Sequence, residues 1–135
     1  MKNSKLFILF FVLASLLLNA CGTSCDIETY QETVKPQIDK WQDAYQIANQ
    51  TPRVSLASEI ANLQEIKRDT ESLEISECTI ETHANLVQSM DFTIQGFLAF
   101  LGQDTDENVN YYFRQSDYYL EQYTKAIDEI KNPKK

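Results

Sequence analysis

Ile27, Tyr30, Val34, Ile38, Trp41, Tyr45 and Ala48 recur at steps of three and four. That spacing places them on one face of an α-helix. The same rhythm returns in Leu56, Ile60, Leu63, Ile66 and Leu73, and in Ile80, Ala84, Val87, Met90, Ile94, Phe97, Leu98 and Leu101. It returns once more in Val109, Tyr112, Phe113, Tyr119, Leu120, Tyr123, Ile127 and Ile130. No segment sustains a period of two, so no strand is expected. Four apolar stripes joined by short turns are buried best as an up-down-up-down four-helix bundle. The expected fold is therefore all-α, with the bundle spanning 26–132.

The punctuation agrees with this division. "NQTPR" (49–53) breaks the first stripe, with Thr51 placed to cap and Pro52 suited to a first helical position. "EISEC" (74–78) forms the next turn, where Ser76 can cap a helix that holds Glu77 in its first turn. Gly102 suits a C-terminal stop, and Asp104 or Thr105 can cap the last helix. Pro36 lies inside the first stripe. An interior proline loses a backbone hydrogen bond and crowds the preceding turn, so a kink is expected there.

Ahead of the bundle, Lys2 and Lys5 precede the apolar run "LFILFFVLASLLL" (6–18). A basic start followed by a run shorter than the roughly 20 residues of a spanning helix describes a secretory signal. Its end, Leu18-Asn19-Ala20-Cys21, resembles the lipobox of bacterial lipoproteins. The resemblance implies a signal peptide at 1–20, cleavage before Cys21, and diacylglycerol on the Cys21 thiol. Acylation of the new amino terminus commonly follows in that family. Residues 21–25 would then form a short tether that keeps the bundle close to the extracytoplasmic side of a membrane, since two or three acyl chains hold a protein stably. The segments "WQDAYQIANQTPR", "LQEIKRDTESLEISEC" and "MDFTIQGFLAFLGQD" are similar to those of small helical domains in uncharacterised bacterial envelope lipoproteins. That similarity supports the architecture and assigns no site residue.

Charge narrows the range of partners. Without Lys2 and Lys5, the 12 basic residues fall to 10 against 20 acidic ones, a net charge near −10. Nucleic-acid affinity comes from neutralising phosphates with Lys and Arg, so no nucleic-acid partner is expected. The same balance opposes a body lying flat on anionic lipid.

Connectivity bears on the two remaining cysteines. In an up-down-up-down bundle the starts of the first and third helices share one end, and Cys25 and Cys78 sit at those starts. A disulfide between them is expected in an exported chain. Closing a loop of about 54 residues would contribute roughly 4 kcal/mol through lost chain entropy.

Several chemistries find no adequate motif. His83 is the sole histidine and shares a helix with Met90, so the two cannot bracket a haem. "IETH" has the wrong spacing for a di-iron Glu-x-x-His, and His83 is expected at a surface or boundary. "DTDENVNYYFRQ" offers Asp104, Asp106 and Asn108 but has Val109 where a calcium loop needs Gly, and Gln115 where it needs Glu. No metal, cofactor or catalytic residue is assigned, and no enzyme activity is expected.

The remaining feature is aromatic crowding around the third turn. Phe97, Phe100, Tyr111, Tyr112 and Tyr118 form a candidate binding patch, because tyrosine joins apolar area to a hydrogen-bonding tip. Gly96 would let a helix or ligand approach closely. The sequence thus points to a non-enzymatic binding or scaffolding module at the cell envelope, with an envelope protein as partner. The alternative is a small-molecule sensor or carrier with an apolar cavity near the aromatic turn.

Overall fold

Asp26 supplies what a helix start lacks. Its carboxylate accepts the Thr29 backbone N–H at 3.0 Å and the Thr29 hydroxyl at 2.6 Å. Those bonds hold the Asp26 carboxyl below its usual range. A computed structural model describes residues 25–133; the signal region and Cys21 lie outside the described residues. From Asp26 onward the chain forms α1 (Ile27–Gln50), α2 (Leu56–Glu71), α3 (Ile80–Leu101) and α4 (Asp106–Lys131). Short 3-10 turns at Arg53–Ser55 and Glu77–Thr79 lead into α2 and α3. No strand occurs among the described residues.

Local chemistry explains where the boundaries fall. α1 continues through Pro36, which is exposed together with Glu32 one turn earlier. Water can therefore replace the hydrogen bond that the proline cannot donate. Pro52 precedes the 3-10 turn and does not open a helix, while Thr51 closes α1. At 16 residues, α2 is shorter than its neighbours because the chain leaves the helix at Ser72. α3 ends with the Gly102 N–H donating to Leu98 at 2.8 Å. The left-handed residue of that stop is Gln103, with φ 61°, whereas Gly102 stays right-handed at φ −72°. Thr105 caps α4 by accepting the Asn108 N–H at 3.2 Å. Asp104 accepts from the Thr105 N–H and from the Asn108 side chain, so the acids before α4 are engaged with its first turn.

Cys25 and Cys78 are joined by a disulfide with Cα atoms 5.8 Å apart. The bridge ties the start of α1 to the turn before α3. Further along, Tyr30 meets His83 and Tyr45 meets Phe97, so positions on α1 and α3 rise together. Between α3 and α4 the order reverses: Phe92 stacks on Tyr119, and Phe97 meets Phe113.

Two apolar clusters form the core. One joins Ala44 and Ala48 of α1 to Leu56, Ile60, Leu63 and Ile66 of α2, with Ile94 and Phe97 of α3. The two alanines let α1 and α2 approach closely. The second cluster, toward the bridge, joins Ile27, Tyr30 and Val34 to Leu86, Met90 and Ile127. Trp41 borders both clusters. Lys67 links α2 to α3, its ammonium 3.0 Å from Glu71 and 3.1 Å from Asp91. Burial opposes its charge, but those two bonds win and raise its pKa.

The register of α3 differs from the apolar stripe. Ile80 is 54 % exposed and Ala84 is exposed, whereas Thr82, His83, Leu86, Ser89, Met90 and Thr93 are buried. The stripe holds at Met90, Ile94 and Phe97, but the buried face of α3 is half polar, so hydropathy alone misses its hydroxyl and histidine positions. His83 is correspondingly a buried residue, 6 % exposed, and not a boundary one.

Candidate functional site

On α4, Phe113, Ser116, Asp117, Leu120, Tyr123 and Thr124 follow at helical spacing and form one face. Only Ser116 and Ile127 of this helix are buried, and Leu120 is 47 % exposed. α1 offers a matching row of Ile38, Trp41, Gln42 and Tyr45. The two rows do not close on each other. Between them lies a cleft of about 460 Å³, whose floor is Leu86, Ser89, Met90 and Thr93 of α3.

Small hydroxyl side chains line the base of the cleft: Ser89 and Thr93 from the α3 floor, and Ser116 from the α4 wall beside them. Their hydroxyls are satisfied by one another. Thr93 Oγ1 donates to the Ser89 carbonyl at 3.0 Å, Thr93 and Ser116 hydroxyl oxygens are 2.7 Å apart, and those of Ser116 and Ser89 are 3.2 Å apart. Internal bonding is what allows these hydroxyls to be buried cheaply.

Gly96 shapes the upper wall. A Cβ there would lie 2.9–3.0 Å from three carbons of the Phe113 ring, so glycine lets that ring lie against α3. Phe113 then packs edge-on to Phe97, with centroids 5.4 Å apart. At the lower end, burial raises the Tyr123 and Tyr30 pKa values and keeps both phenols protonated. Asp117 is the only carboxylate lining the cleft, and no histidine, cysteine, lysine or arginine joins it among the described residues.

His83 lies apart, near the bridge. Its Nε2 is 3.0 Å from the Thr70 carbonyl and its Nδ1 is 3.3 Å from the Tyr30 hydroxyl. A carbonyl can only accept, so Nε2 carries the proton and Nδ1 accepts from Tyr30. Burial lowers the His83 pKa and favours that neutral form. With both nitrogens engaged, the ring acts as a strut between α1 and the end of α2. Among the described residues, no group of three or more His, Cys, Asp or Glu is placed to hold a metal ion.

The aromatic residues singled out from sequence are dispersed. Phe97 is a core residue at 4 % exposure and cannot belong to an exposed patch. Phe100 is exposed, with the Arg53 guanidinium 6.0 Å from its ring centroid. Tyr111 packs edge-on against Tyr112, and Tyr118 against Tyr119, each leaving an exposed ring. None of the five lines the cleft. Its aromatic walls are instead Trp41, Tyr45, Phe113 and Tyr123, which read in sequence as ordinary stripe residues. The legible clue was Ser89 and Thr93, four apart, which put two hydroxyls on the helix face that carries Leu86 and Met90.

Comparison with protein-family models, curated proteins and solved structures finds no match to this chain. Any functional reading therefore rests on the cleft and on the sequence ahead of the bundle.

Proposed function

We propose that this chain is a lipid-anchored, non-enzymatic binding module of the bacterial cell envelope that seats a small ligand between α1 and α4. The observation that carries the reading is the cleft: open, walled by aromatic and aliphatic side chains, and floored by a few convergent polar groups. Ligand sites generally have this composition, with volumes of about 300–1,000 Å³. A scaffold working only through its outer surface has no need of such a space. Between the two readings of the sequence, the cleft favours the sensor or carrier and moves its cavity from the third turn to the middle of the bundle.

The anchor and the orientation belong to the same proposal. Leu18-Asn19-Ala20-Cys21 supports lipid on Cys21. The bridge between Cys25 and Cys78, together with the α1–α3 and α3–α4 pairs, supports an up-down-up-down arrangement. The bridged end then sits beside the membrane and the Phe100–Tyr111 end points away from it. An envelope protein docks on that outer end, where Phe100 and Tyr111 are exposed.

The test uses the full chain in phosphatidylcholine vesicles. Trp41 is its only tryptophan and stands in the cleft wall. Titration with 4-phenylbutan-1-ol should change Trp41 emission saturably, and Leu120→Asp should weaken that binding at least about fivefold by removing apolar wall. A linear, non-saturating response identical in both proteins would refute the ligand seat. Separately, Cys21→Ala should release the protein from membranes; unchanged retention would refute the anchor.

A further inference from the structure

We infer that the cleft selects a molecule with a hydrogen-bond-donating cationic head, an organic ammonium, on an apolar body. The inference rests on the cleft being a ligand seat and adds the chemical class of the ligand.

The floor decides the head group. Each hydroxyl has one proton to donate. The one assignment that satisfies all three contacts at once has Thr93 donating to the Ser89 carbonyl, which can only accept. In the 2.7 Å contact between Thr93 and Ser116, the proton must therefore come from Ser116. That leaves Ser89 as the donor in its 3.2 Å contact with Ser116. All three protons are spent inside the cluster, and only lone pairs are left to face the cleft. A ligand acceptor would have to break one of these bonds; a ligand donor breaks none.

The walls point the same way. Asp117 adds a negative charge to the rim, and among the described residues no lysine or arginine lines the cleft to offset it. A hydrogen bond from an ammonium to a carboxylate is roughly twice as strong as a neutral one. Trp41, Tyr45, Phe113 and Tyr123 supply ring faces that attract cations. Ile38, Leu86, Met90 and Leu120 supply apolar surface for the body of the molecule. An anion would meet lone pairs and a carboxylate.

Three probes with one common body separate these terms: 4-phenylbutylamine, 4-phenylbutan-1-ol and 5-phenylpentanoate, titrated against Trp41 emission in the vesicle-bound full chain. The amine should bind about tenfold tighter than the alcohol, with the carboxylate weakest. Asp117→Asn, at an exposed position, should bring the amine to within about threefold of the alcohol. An amine no tighter than either other probe, or one indifferent to Asp117→Asn, overturns the inference and leaves the seat standing. If no probe alters Trp41 emission saturably, the seat itself is refuted and this inference falls with it.

Discussion

α1 is flanked by α2 on one side and by α4 on the other, and the two seams are built from different side chains. Toward α2 it presents Ala44 and Ala48, against Leu56, Ile60, Leu63 and Ile66. Small residues on one helix and aliphatic ones on the other interlock, and the seam closes. Toward α4 it presents Trp41 and Tyr45, across the cleft from Phe113 and Tyr123, with the small side chains of Ser89, Thr93 and Ser116 at its base. Broad rigid rings over small polar groups cannot interlock, and the seam stays open. The same helix is thus core on one flank and cleft wall on the other. Side-chain size at a few floor positions sets the difference more than overall hydrophobicity does.

The largest perturbation acts on the bridge that ties the start of α1 to the turn before α3. Cys78→Ser frees a loop of about 54 residues and should lower unfolding free energy by roughly 4 kcal/mol in urea titrations. A loss under about 1 kcal/mol would mean that packing alone fixes that end.

Next comes a direct contrast of the seams. Leu63, at 0 % exposure, lies in the closed one, so Leu63→Ala should cost about 3 kcal/mol. Leu120 lies in the open one, and Leu120→Ala should cost less than about 0.5 kcal/mol. Similar losses at both positions would erase the distinction.

Gly96→Ala tests the upper wall. Alanine gains about 1 kcal/mol of helix propensity, but overpacking against the Phe113 ring costs about 1–3 kcal/mol. A net loss of about 1 kcal/mol is expected, by urea unfolding. Binding of 4-phenylbutan-1-ol should weaken as Phe113 is pushed from its place. A stabilised variant with unchanged binding would show that Phe113 yields freely.

The gentlest test is pH. His83 is held neutral, with its folded pKa below the usual 6.5. As pH falls through about 6.5 the unfolded chain takes up the proton first, so stability is lost until the folded value is passed. His83→Gln should flatten that part of the urea-midpoint profile between about pH 7.5 and 5; an unchanged slope would remove His83 as its source.

The sequence disclosed the helices because α1 and α2 keep clean apolar stripes and because Asp26, Thr105 and Gly102 mark boundaries. The Cys25–Cys78 bridge followed from connectivity. The cleft was hidden for a physical reason. Its floor uses buried hydroxyls, which score as polar, and its walls use aromatics, which score as core. The hydropathy stripe therefore found Met90, Ile94 and Phe97 but missed the hydroxyl face beside them, and aromatic crowding sent attention to Phe100 and Tyr111. Whether a stripe residue packs or faces a space depends on the size of what stands opposite, and that is a property of two helices together.

Photolabelling of the full chain with benzophenone, mapped by mass spectrometry, tests the open seam most directly. Label should concentrate on 38–45, 86–93 and 113–124 and spare 56–66. Label spread evenly over the helices, or gathered on the exposed Phe100 and Tyr111, would contradict a ligand seat between α1 and α4.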